Sequence, residues 1–182
     1  FEYTKIDNLI EILFTTSRDI ENIIKEQVKE TPLRKNTATP SSEGTSSNVN
    51  LKEIKEKIRN AIGTELNVSF LKKGRSTYWT SDHVTRFVCT LSKLYENKGT
   101  AKYWYSHHPN WINFLSEGES SYLALGCIET NLVFVIPHEI VDKNLENFNK
   151  SIKEDGSQYW HIKIGQDSAG KYYLILPRKN GK

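Results

Sequence analysis

Beyond Gly63 the apolar residues fall at every second position, in short runs rich in aromatic and β-branched side chains, and this commits most of the chain to a sheet. The pattern predicts strands over residues 77–80, 86–95, 102–107, 121–127, 132–136, 158–164 and 171–176. Two short helices are predicted among them. One follows Pro109 and turns Trp111, Phe114 and Leu115 inward; the other covers 138–149 with Ile140, Val141, Leu145 and Phe148. Glu129-Thr130-Asn131 and Ala169-Gly170 read as turns. The predicted fold class is α+β, a mainly antiparallel or mixed sheet flanked by short helices.

Ahead of the sheet the period is helical. Leu51, Ile54, Ile58, Ala61 and Ile62 share one face, with Lys52, Lys55, Lys57 and Arg59 on or beside the other, and Gly63 reads as the stop. Residues 3–29 place Ile6, Leu9, Ile10, Leu13, Ile20, Ile24 and Val28 at three- and four-residue spacings, the stripe of an amphipathic helix that needs a partner. Packing onto the rest of the chain and homodimerisation through 3–29 both satisfy it. Residues 31–50 are Ser, Thr, Asn, Pro and Gly with few large apolar groups, the composition of a linker. The expected organisation is a helix over 1–30, a Ser/Thr-rich linker over 31–50 and an α+β domain over 51–182.

At 182 residues the chain is sized for one domain with an appendage. No apolar stretch approaches the roughly 18 residues that span a bilayer, and Phe1 to Ile6 do not resemble a signal peptide. Two cysteines, Cys89 and Cys127, are too few for a disulfide framework, so a reduced, cytoplasmic setting is expected. Methionine is absent where ordinary usage would give about four, which reads as a fragment or as a sequence from which modified methionines are missing. The net charge of +3 conceals segregation: residues 31–75 hold nine basic and four acidic side chains, whereas 1–30 hold four and seven. The positive sector is the stretch from Lys52 to Lys102.

The nucleotide-binding glycine loops, the Gly-x-Ser-x-Gly elbow and the His-Glu-x-x-His zinc helix are all absent, which disfavours nucleotide hydrolysis, serine hydrolysis and zinc proteolysis. His107 and His108 are adjacent, and alternation in a strand sends their rings to opposite faces, so they make a poor chelate. Lys72, Lys73, Arg75, Ser76, Tyr78 and Trp79 interleave cations, a hydroxyl and aromatic rings beside the basic helix. Nucleic-acid surfaces use that mixture: cations displace counterions from phosphates and rings stack on bases. Arg86 starts the next strand and is grouped with them. On that strand Phe87, Cys89 and Leu91 share the buried face, and Lys93 ends it, to reach water, an acid or a ligand. Tyr159, His161 and Lys163 share a polar face opposite Trp160, Ile162 and Ile164, which makes His161 and Lys163 further candidates for ligand contact.

The succession Arg75-Ser76-Thr77-Tyr78, Ser92-Lys93-Leu94-Tyr95, Tyr103-Trp104-Tyr105 with His108-Pro109, Tyr122 through Gly126-Cys127, Val135-Ile136-Pro137 and Tyr159-Trp160-His161-Ile162 resembles domains of bacterial restriction-modification and related DNA-processing proteins. Residues 121–141 are similar to the closing hairpin and helix of nucleases with the PD-(D/E)xK core. The resemblance implies a DNA partner and a nuclease-like domain. In such nucleases carboxylates bind magnesium and a lysine orients the attacking water. Here Leu91 stands two before Lys93 where an acid belongs, leaving Asp82, Lys93 and Glu96 as the candidate catalytic set. A non-cutting DNA-binding domain, an active magnesium-dependent endonuclease and a non-enzymatic assembly domain are the three readings.

Overall fold

The structure, a computed structural model, describes residues 3–6, 10–13, 50–95 and 101–177. It contains β1 (Tyr3–Ile6), β2 (Ile10–Leu13), α1 (Leu51–Glu65), β3 (Leu71–Lys72), β4 (Thr77–Trp79), β5 (Thr85–Ser92) and β6 (Ala101–His107). Then come α2 (Pro109–Ser116), β7 (Ser120–Cys127), β8 (Leu132–Pro137), α3 (His138–Lys143), a 3-10 turn (Leu145–Asn147), β9 (Asn149–Ile152), β10 (Gln158–Gln166) and β11 (Tyr172–Pro177). The class is α+β, as the periodicity predicts.

Two sheets carry the fold. The first runs β1-β11-β10-β6, with β9 beside the start of β10; the second runs β2-β8-β7-β5-β4-β3. Pairing is antiparallel except between β5 and β7, which run parallel from Thr85↔Ser120 to Ser92↔Cys127. A parallel pair needs a crossover. Here it is β6, which belongs to the other sheet, followed by α2.

The second sheet is apolar on both faces, so it forms the middle layer. Val88, Leu123, Leu125, Phe134 and Ile136 meet Tyr103, Tyr105, Ile162, Ile164 and Leu174 of the first sheet. Phe87, Cys89, Ala124, Val133 and Val135 meet Ile58 and Ile62 of α1. Phe87, Cys89 and Leu91 do share one face of β5, and β5 stops at Ser92, leaving Lys93 exposed.

Helix α1 does not end at Gly63. Asn50 caps its start, accepting from Lys52 N at 3.2 Å and Glu53 N at 3.3 Å, and the helix runs on to Glu65. Gly63 instead makes room for the returning chain: a Cβ there would lie 2.8 Å from the Val68 carbonyl oxygen. Helix propensity alone favours Gly63→Ala by about 1 kcal/mol, but the backbone clash reverses the sign. The expected result is a loss of about 1–3 kcal/mol in urea unfolding; a variant more stable than the parent would refute this packing.

The predicted helix over 3–29 fails in its first part. Residues 3–6 and 10–13 are strands, paired from Tyr3↔Pro177 to Ile6↔Leu174 and from Ile10↔Val135 to Leu13↔Leu132. Their partners lie within the chain, so those residues do not supply a helical dimer seam. Residues 14–29 of that helix and the linker expected over 31–50, apart from its last residue Asn50, lie outside the described residues. The helix predicted over 138–149 is shorter: the Asn144 side-chain amide donates to Ile140 O at 2.8 Å and closes it, and Asn149 begins β9.

Candidate functional site

Four cations gather where α1 starts. Lys52 and Lys55, three apart, lie on one face of its first turns, and the β3–β4 hairpin brings Lys72, Arg75 and Ser76 up to them. Together with Thr90, Leu91 and Trp111 they line a cleft of about 580 Å³ to which no carboxylate contributes. The other basic residues of the helix are already neutralised along it, Lys57 by Glu53 at 3.5 Å and Arg59 by Glu56 at 3.0 Å. A neighbouring groove of about 610 Å³ contains Arg59 as its sole cation, so the charge excess belongs to the first cleft.

Lys55 is the hub. Its ammonium donates to Ser76 Oγ at 2.8 Å and to the Arg75 carbonyl at 3.3 Å, leaving one of its three protons for a ligand. Burial pulls its pKa below the usual lysine value, and the Arg75 and Lys72 charges pull the same way. Lysines in a first helical turn also oppose the helix dipole. An anion in the cleft would relieve both conflicts, and it would meet the positive end of α1 as well.

The hairpin sorts the remaining candidates. Lys72 is opposite Tyr78 in the ladder and faces α1, so Lys73 must face away. Its ammonium sits 4.2 Å from the centre of the Trp79 ring and 5.2 Å from that of Phe114, a packed cation-π contact outside the cleft. Tyr78 is fully buried and stacked on Phe87 at 4.6 Å, so it cannot reach a base. Trp79 is contacted by Lys73 and by His83, whose ring stacks on it at 3.8 Å. Arg86 is 7% exposed and structural: it donates to Phe114 O at 3.0 Å and His83 O at 3.2 Å and pairs with Glu117 at 2.6 Å. Tyr78 and Arg86 are therefore packing residues rather than ligand contacts: their chemistry suits a binding face, but their register turns them inward. Trp79 is half-buried, with its ring engaged by Lys73 and His83.

The candidate catalytic set does not assemble. Asp82 is in the turn before β5, where its carboxylate accepts from the Thr80 hydroxyl and from Val84 N at 3.1 Å. Those bonds, the hydroxyl's first, hold its pKa below the ordinary value. Lys93 lies past the other end of the same eight-residue strand, a separation of roughly 25 Å at about 3.3 Å per residue. One metal ion cannot join them. Glu96 lies outside the described residues, and no group of three or more His, Cys, Asp or Glu among the described residues could hold a metal ion.

His107 and His108 diverge as alternation requires. His107 points between the sheets and is fully buried, with neither ring nitrogen hydrogen-bonded, while His108 bonds Ser106 Oγ at 3.1 Å on the outer side.

On the outer face of the first sheet, His161 and Lys163 do come together, around Trp104. The Trp104 indole donates to His161 Nδ1 at 3.1 Å, and since indole can only donate, that nitrogen is unprotonated. The proton is therefore on Nε2, which donates to Ser151 Oγ at 2.7 Å. Burial, then Lys163, lowers the His161 pKa, which agrees with a neutral ring. Trp104, His161 and Lys163 border a pocket of about 320 Å³ with Tyr95, Ala101 and Tyr103.

Sequence reasoning named Lys72, Arg75 and Ser76 as a run and Lys52 and Lys55 as a helix face, but not their meeting. Trp111 and Thr90 were missed as cleft residues, because a core tryptophan carries no local mark of lining an opening as well. Among the described residues no helix is long and apolar enough to cross a membrane. Compared with protein-family models, curated proteins and solved structures, the chain matches none.

Proposed function

We propose that the chain is a DNA-binding domain that holds backbone phosphates in the cleft of Lys52, Lys55, Lys72, Arg75 and Ser76, without cutting the strand. The observation that carries this reading is the convergence of four cations from two elements on one cleft with no carboxylate among its lining residues. The Arg75 and Lys72 charges act against that of half-buried Lys55, and an anion seated among them would offset the repulsion. On the resemblance read from the sequence, such a domain would belong to a prokaryotic restriction or DNA-processing protein. The separation of Asp82 and Lys93 along β5 favours binding over cleavage.

Filter binding across a salt series tests the reading. Four phosphate contacts give a slope of log affinity against log salt of about −3.6 on a duplex. Absence of binding at low salt, or binding indifferent to salt, would remove phosphate contact from the account. Incubation with magnesium is expected to leave the DNA intact. Cleavage abolished by Asp82→Ala or Lys93→Ala would restore the nuclease reading.

A further inference from the structure

The cleft does not stop at its own rim. Trp111, which lines it, has its ring 4.7 Å from His108. From His108 the next ring is Tyr159 at 5.8 Å, then His161 at 5.2 Å, then Trp104 at 5.3 Å, which borders the pocket on the outer face of the first sheet. A file of five aromatic rings thus leads from the basic cleft to a second opening. All five are half-buried, neither sealed in the core nor fully exposed.

Positive charge accompanies the file. Lys153 stands 5.8 Å from the centre of the Tyr159 ring, and Lys163 lines the far pocket, whose described lining contains no carboxylate. The hydrogen bonds from Trp104 and to Ser151 hold the His161 ring in place, with Tyr159 parallel to it at an interplanar angle of 7°. These rings are fixed without being enclosed, which keeps the entropic cost of stacking a base on them small.

We propose that Trp111, His108, Tyr159, His161 and Trp104 form a stacking path for the unpaired bases of a single-stranded polynucleotide whose phosphates enter the basic cleft, with the pocket beside Lys163 receiving a base. The inference rests on the phosphate-binding reading of the cleft and adds strandedness to it. In a duplex the base faces are hidden in the stack, so the ring file has nothing to contact; in a single strand every base offers a face. A basic groove continued by aromatic rings is the combination that holds single strands without reading sequence.

The test is a fluorescence titration of the intact chain at fixed salt with oligo-dT, oligo-U and a DNA duplex of equal length, since Trp104 and Trp111 both lie on the path. Expected are quenching by the single strands and affinity for them at least about tenfold above that for the duplex. Tyr159→Leu and Trp104→Leu should each lower single-strand affinity by about tenfold and leave duplex affinity unchanged. Lys163→Ala, which keeps every ring, should weaken single strands by a smaller factor, and unaltered melting temperatures separate these losses from misfolding. A preference between oligo-dT and oligo-U reports whether DNA or RNA is the better strand, and either supports the path. Equal affinity for duplex and single strand, unmoved by the ring substitutions, would overturn the path while leaving the cleft in place. No binding to any probe at low salt would remove the cleft and the path together.

Discussion

Lowering the pH from 7 to 4 is expected to remove about 3 kcal/mol of folding stability through His107 alone. Burial between the sheets is the first cause of its low proton affinity, followed by the neighbouring His138 and His108, and its pKa falls from 6.5 to about 3. The unfolded chain takes up a proton as the pH drops below about 6.5, whereas the folded chain refuses it until about 3. Each pH unit in that window therefore favours the unfolded state by about 1.4 kcal/mol. His108 and His138 are shifted the same way, both chiefly by burial, and add to the slope. Urea midpoints measured from pH 7 to pH 4 would show this, and His107→Phe isolates it. The phenyl ring fills the same space and removes two buried nitrogens that have no hydrogen-bond partner. The variant should gain about 1 kcal/mol at pH 7 and lose most of the acid dependence. Parallel pH profiles for parent and variant would show that His107 is solvated or paired after all.

The second large effect is on binding. Replacing Lys52, Lys72 and Arg75 together by Ala removes three of the four phosphate contacts, and with them about 2.7 of the salt slope. At about 0.1 M salt that corresponds to a loss of roughly 500-fold in affinity, taking 1 M as the reference where counterion release vanishes. Lys57→Ala with Arg59→Ala is the control. It removes two cations from the same helix, but these are already paired with Glu53 and Glu56, and it should change affinity less than about twofold. An equal loss from both variants would mean that the protein's overall charge, rather than the cleft, attracts the ligand.

Why was so much of the sheet legible and so little of the site? Central strands such as β7 and β8 announce themselves because each residue must fit a packed face, and the apolar letters record it. The edge strand β9 is polar and mostly exposed, so nothing in Asn149–Ile152 distinguishes it from a loop. For β1 and β2 the local letters mislead: Ile6, Leu9, Ile10 and Leu13 satisfy helical spacing, but β11 and β8 have free edges that capture the backbone instead. Such overrides by distant partners leave no local signature. The cleft follows the same division. Arg75 and Ser76 are neighbours in sequence and were legible as a pair. That Lys52 and Lys55 complete them depends on where α1 lies on the middle sheet, which Gly126 helps fix, since a Cβ there would come within 2.6 Å of both Ile58 and Leu91. Tyr78 and Arg86 were misplaced for want of a register. Which way a strand residue points is settled by its partners across the ladder, not by its own chemistry.

The excursion of the chain into the other sheet between β5 and β7 governs how the domain comes apart. Two neighbouring parallel strands of one sheet are separated in sequence by a strand of the other, so neither sheet can be finished before the other is begun. Four of the described strand pairs, β1–β11, β2–β8, β5–β7 and β6–β10, join distant residues, and closure of such long loops comes before its reward. The two sheets should then melt as one cooperative unit, with amide exchange in β6 and β7 limited by the same opening. Folding should be slow for a chain of this length, because no part of the sandwich can serve as a stable template for the rest.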